Sequence, residues 1–187
     1  MRPGHSFAKL TYADYVRFPD DGLRHEIIEG EHYVTPSPVT RHQRISRELL
    51  YAIHEHLKSN PSGEVLSAPF DVVLSDTNVF VPDLVYISRS RAHRLTAKNL
   101  QGSPDLAIEI LSPGTKRRDE ELKLAVYERL QVAEYWVVDP EQDVIDVYRR
   151  GREGFDPPKR YTPTHVLSTP LMPGLIIPLS QVFDGPR

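Results

Sequence analysis

Two carboxylates set in apolar surroundings are the residues of this chain best placed to do chemistry. Glu109 lies inside the run Leu106-Ala107-Ile108-Glu109-Ile110-Leu111, and Asp83 stands between Val81-Pro82 and Leu84-Val85-Tyr86-Ile87. A carboxylate in such a strand is costly unless it is paired, hydrogen-bonded or bound to a metal. Pro82 suits the first residue of a strand and not its middle, so Asp83 falls where a strand begins or bends. Two such groups on adjacent strands can hold a divalent ion through oxygen, since Mg2+ takes one or two carboxylates and keeps several waters. An ion held this way activates water and steadies charge on a phosphate. A lysine completes such a site by stabilising the developing charge. Leu111 occupies the strand position two residues beyond Glu109, so the next candidate lies on the following helix. There Asp119, Lys123 and Tyr127 recur at i, i+4 and i+8 and share one face. Each residue also has a structural reading: Asp83 as a turn cap, Glu109 as the partner of an arginine, Lys123 as a solvated partner of Asp119, Tyr127 as packing.

Further charged residues surround this core set. Asp105 precedes Glu109 by four residues and is expected on the same strand face, as a third carboxylate near the metal or as a cap at the strand start. The connection from Ser88 to Ser103 carries Arg89, Arg91, His93, Arg94 and Lys98 and no acidic residue. It is either a grip on a phosphate backbone or a solvated loop. Lys116-Arg117-Arg118 opens the second long helix, where cations oppose the helix dipole unless a phosphate is nearby or Asp119, Glu120 and Glu121 offset them.

The elements that must position these groups follow from periodicity. A short helix is expected over 11–18, a hairpin over 25–34 turning at Gly30, and a long helix over 40–59 with Ile45, Leu49, Ile53 and Leu57 on one face. Residues 64–74 and 79–87 read as a strand pair, 106–111 as a central strand, and 116–130 as a helix with Leu122, Val126 and Leu130 as its core stripe. Strands over 135–138 and 144–148 and short edge strands near 161–167 and 175–177 complete the chain. The order predicts an α/β or α+β domain with a mixed central sheet flanked by helices.

Composition narrows the classes. The 187 residues suit one domain, 1–187, and their 39% hydrophobic and 26% charged content is that of a globular protein. Without cysteine, disulfides, thiolate nucleophiles and cysteine zinc sites are excluded. No apolar run has membrane-spanning length and the first residues do not read as a secretory signal, so no membrane partner and a cytoplasmic location are expected. The net charge of −3 does not announce nucleic-acid binding, although a carboxylate cluster would itself lower the total.

The run from Pro104 to Pro113, then Asp119, Lys123 and Tyr127, then Glu134-Tyr135-Trp136-Val137-Val138-Asp139-Pro140, resembles the Uma2 family of restriction-endonuclease-like proteins. His25 to Glu31, Ser37-Pro38 with His42-Gln43, and Val81 to Val85 match its other blocks, so the resemblance covers about residues 10–178. It implies the PD-(D/E)xK nuclease fold, with Asp83 and Glu109 binding metal and Lys123 assisting catalysis. Leu111, where that superfamily usually has lysine, departs from the pattern and implies migration of the lysine to the helix. Within the matching blocks Glu26 can ligate metal or orient water, and His42 can contact phosphate or hydrogen-bond at a helix start. The implied activity is an endonuclease using Mg2+ (or Mn2+) to hydrolyse DNA, leaving a 5′-phosphate. A homodimer is expected where both strands are cut. The missing strand lysine and the acidic charge favour the alternative, an inactive nucleic-acid-binding or assembly module that retains the fold; a hydrolase of another phosphate ester is a third reading.

Overall fold

The computed structural model describes residues 8–112, 114 and 116–185. Along the chain run α1 (Tyr12–Tyr15), β1 (Arg24–Ile28), β2 (Glu31–Thr35), α2 (Thr40–Ser59), β3 (Gly63–Ser67), β4 (Asp71–Ser75), β5 (Asn78–Phe80) and β6 (Leu84–Ser88). A 3-10 turn (Arg89–Arg94), β7 (Asn99–Gln101) and β8 (Leu106–Ile110) lead into a π-helical segment (Arg118–Lys123) and α3 (Leu124–Arg129). Then come β9 (Glu134–Asp139), β10 (Val144–Arg149), β11 (Lys159–Tyr161), β12 (Val166–Leu167), β13 (Ile177–Pro178) and α4 (Leu179–Val182). The fold is mixed α+β.

The expected mixed central sheet has six strands in the order β11-β10-β9-β8-β6-β3, with β8 and β9 parallel and the other neighbours antiparallel. A second sheet of five strands, β2-β1-β5-β4-β7, packs on one of its faces. The predicted single pairing of 64–74 with 79–87 is therefore corrected: β3 and β6 pair in the large sheet, β4 and β5 in the small one. The segment through Pro69 and the Val81-Pro82 step divide the two runs, because proline removes a ladder donor and lets each run change sheets.

Alternation assigns the faces. Leu106, Ile108 and Ile110 of β8, with Leu84 and Tyr86 of β6, pack under Ile45, Leu49, Ile53 and Leu57 of α2. Burying each of those helix side chains contributes about 1.5–3 kcal/mol. Ala107 of β8 and Val85 and Ile87 of β6 point the other way, into the layer shared with Ile28, Phe80, Val126 and Tyr127. The β1–β2 hairpin turns through Glu29 and Gly30, both at positive φ, as a type I′ turn requires. A Cβ at Gly30 would also lie 2.5 Å from Lys9 Cβ, so side chains are excluded there twice over.

The second long helix departs from expectation. Leu122 is 38% exposed, whereas Asp119, Lys123 and Tyr127 are buried with Val126. The π-helical segment explains the shift: one extra residue per turn rotates Lys123 into the phase that Leu122 would hold in a regular α-helix. Among the described residues no helix is long and apolar enough to cross a membrane.

Candidate active site

The site lies between the two sheets, and strand parity puts it there. Glu109 shares the inward face of β8 with Ala107, and Glu26 shares the inward face of β1 with Ile28. In the β6–β8 ladder Leu84 faces Ile108, so continuing the register one step sets Asp83 opposite Glu109. The π-helical segment brings Arg118, Asp119 and Lys123 in from the side, its backbone held where Tyr135 donates its hydroxyl to the Asp119 carbonyl, 3.0 Å. Glu26, Asp83, Glu109, Arg118, Asp119 and Lys123, with Arg24, Thr35 and His42, line one cavity of about 150 Å3.

Lys123 is the hub. Its Nζ lies 2.7 Å from Glu26 Oε1, 2.8 Å from Glu109 Oε1 and 3.4 Å from Asp119 Oδ1, with its side chain 3% exposed. Tyr127 also donates to Glu109 Oε1, 3.2 Å. Glu26 receives the Val81 amide at Oε1, 2.8 Å, and the Thr35 hydroxyl at Oε2, 3.4 Å. Asp83 is the second hub. Its Oδ1 accepts from Arg24, 2.8 Å, and its Oδ2 from the Ile110 amide, 2.8 Å, and His42 Nε2, 3.1 Å.

These partners set the charge states. Burial alone would lower the Lys123 pKa, but Glu109, Glu26 and Asp119 outweigh it and hold the amine protonated well above its ordinary range. Burial pushes Glu109 well above the usual carboxylate range; Lys123 opposes this, while Asp119, Glu26 and Asp83 add to it. Burial also acts on Asp83, yet His42 and Arg24 prevail and hold it below its ordinary value.

The structure thus brings together Asp83, Glu109, Lys123, Glu26, His42, Asp119 and Tyr127. It keeps the other candidates apart. Asp105 caps the strand start: its Oδ2 accepts the Ser88 amide, 2.7 Å, and its Oδ1 lies 3.2 Å from Arg91 Nε. Arg91 also donates to the Ser103 and Pro104 carbonyls, 3.0 and 2.6 Å, and Arg94 to the Ser103 carbonyl, 3.4 Å. Arg89 and Lys98 are exposed and lie outside the cavity lining. Sequence reasoning missed Arg24 and named Arg118 only as part of the basic run that opens the helix. Arg24 stands two residues before Glu26, on the same strand face, a spacing that could have revealed it.

A family model described as Uma2, "Putative restriction endonuclease", matches residues 12–180. The chain belongs to the Uma2 family. The Uma2 chain is similar in fold to the crystal structure of a "putative nuclease" from Anabaena variabilis, with a TM-score of 0.77 and 22% identity, covering 93% of this chain and 97% of that one. No curated protein matches its sequence. Among its described residues no three His, Asp or Glu side chains are grouped to hold a metal by themselves. Asp83 and Glu109 present carboxylate oxygens from facing strand positions, the donor type that a hard cation takes together with water.

Proposed function

We propose that this chain is a divalent-metal-dependent nuclease that hydrolyses phosphodiester bonds of DNA at the cavity between the sheets. The observation that carries the reading is the convergence of Asp83, Glu109 and Lys123 on one buried layer, with the lysine supplied by a helix and Leu111 at the strand position. Asp83 and Glu109 would hold Mg2+ or Mn2+, which when bound supplies a water of lowered pKa and neutralises charge on the phosphoryl oxygens. Lys123, kept cationic by its three carboxylates, stabilises the charge that develops on those oxygens. Glu26 and Tyr127 fix the direction of that ammonium and of the Glu109 carboxyl. The Arg24 and His42 bonds orient Asp83. A homodimer would place two such sites on one duplex.

The test is a plasmid-nicking assay with Mg2+ or Mn2+, wild type beside Glu109→Gln and Lys123→Ala. Metal-dependent nicking by the wild type alone is expected. One observation favours a second reading, an inactive nucleic-acid-binding module: both Asp83 oxygens are already engaged, one of them by the Arg24 guanidinium. Saturable DNA binding with no nicking under either metal would establish that reading in place of the first.

A further inference from the structure

Among the described residues three permanent or near-permanent cations line the layer, and they are not equally occupied. Lys123 is spent on three carboxylates and Arg24 on Asp83. Arg118 is different. It is 8% exposed, yet its nearest carboxylate oxygen among the described residues is Glu26 Oε2, at 4.0 Å. Its one close hydrogen bond among the described residues runs from Nη2 to the Thr35 hydroxyl, 2.9 Å, a neutral acceptor. Its guanidinium carbon sits 5.5 Å from the Tyr33 ring centre, and its Nε has no hydrogen-bond partner among the described residues. An arginine has five donors in a fixed fork, and a buried donor left unsatisfied is costly. A buried guanidinium so poorly satisfied beside a cavity that it lines is arranged for a ligand that accepts in a plane.

We propose that Arg118 is a phosphate-binding residue, and that the cavity wall it forms is the subsite for the non-bridging oxygens of a phosphodiester. Thr35 and Tyr33, both from β2, hold the guanidinium in place, so the fork is set before the ligand arrives. The π-helical segment makes the arrangement possible by turning Arg118 and Lys123 inward together. Lys116-Arg117-Arg118, out of place at the start of a helix, acquires a reason in its third member. The identity of the ester rests on the nuclease reading; binding of a phosphoryl group to Arg118 can be tested without turnover.

Inorganic phosphate is titrated into the protein in buffer containing Mg2+ at constant ionic strength. The Arg118 Nε–H signal is followed by 1H–15N NMR, and affinity by calorimetry for wild type, Arg118→Gln and Arg118→Lys. Saturable binding is expected, with a downfield movement of the Nε–H signal. Affinity should fall at least tenfold in Arg118→Gln and be partly kept in Arg118→Lys, whose ammonium retains the charge without the fork. An Nε–H signal unmoved by saturating phosphate overturns the proposal, and needs no variant to fold. So does a folded Arg118→Gln protein with wild-type affinity, which would make the residue a structural tie between Thr35 and Tyr33. Nicking activity without phosphate binding at Arg118 defeats this inference and leaves the nuclease reading standing. Phosphate binding at Arg118 without nicking does the reverse.

Discussion

The inter-sheet layer and the connection from Ser88 to Ser103 are both dense in charge, and they use it in opposite ways. In the layer, cations and carboxylates arrive from β1, the step before β6, β8 and the π-helical segment, with His42 from α2, and the side chains of Lys123 and Glu26 are 3% and 2% exposed. In the connection, Arg91 is 24% exposed and turns back onto Asp105 and the carbonyls of Ser103 and Pro104. Along the chain the connection offers its basic residues no acidic partner. Counted in space, Asp105 and the Ser103 and Pro104 carbonyls take up the guanidinium groups of Arg91 and Arg94, which latch the start of β8.

The sharpest way to test that contrast is to delete a charge on each side of it. Lys123→Ala should abolish nicking and should also destabilise the fold by about 3–5 kcal/mol, since it leaves Glu26, Glu109 and Asp119 buried without their cation. Thermal unfolding and the nicking assay read the two effects. A Tm within a degree or two of wild type would show that the layer does not depend on its ammonium. Asp105→Ala should cost about 1–3 kcal/mol by releasing the Ser88 amide and Arg91, while the folded protein keeps its nicking activity. Loss of activity at full stability would return Asp105 to the catalytic set.

Replacing Arg91 and Arg94 together with Ala should weaken the latch by about 1 kcal/mol. It should leave the slope of log affinity against log salt for DNA unchanged, whereas a phosphate contact would remove about one unit per arginine. A flatter slope would restore the loop as an interface. The smallest effect concerns Asp139, which lies between the two extremes. Burial raises its pKa, but Lys116 and the Gln142 and Glu141 amides outweigh that and hold it below its ordinary value. A depressed carboxylate stabilises the fold above its unfolded pKa, and that stability is lost as pH falls through the folded one. Because its partner Lys116 is 44% exposed and screened by solvent, the acid-side loss in wild type relative to Asp139→Asn should stay under about 1 kcal/mol. Parallel pH–stability curves for the two proteins would show that the Lys116–Asp139 pair does not matter.

Elements whose cause is local were legible from the amino acids. The helix over 40–59 is found at its predicted bounds, because four apolar residues at helical spacing leave one solution. The hairpin lies within a residue of expectation, its turn dictated by Glu29-Gly30. Glu109 stood out for the same reason, as a charge in an otherwise apolar strand. What the chain alone did not reveal depends on partners distant in sequence. Nothing in 64–74 and 79–87 says that their halves pair in different sheets. Nothing around Arg24 or Arg118 says which carboxylates will face them. The helical wheel over 116–130 misled because it assumes one period throughout, and Leu122 then fell on the buried side.

That wheel fails because the helix keeps two phases, one upstream of Lys123 and one downstream. A π-helical turn is what a single-residue insertion leaves in an α-helix that must keep its packing on either side. Removing one residue between Asp119 and Lys123 would restore a single phase. The Val126 and Tyr127 contacts could stay in register while Arg118 and Asp119 swung about 100° around the axis, away from the layer. One codon's length of chain therefore separates a helix that merely braces this sheet from one that delivers charge between two.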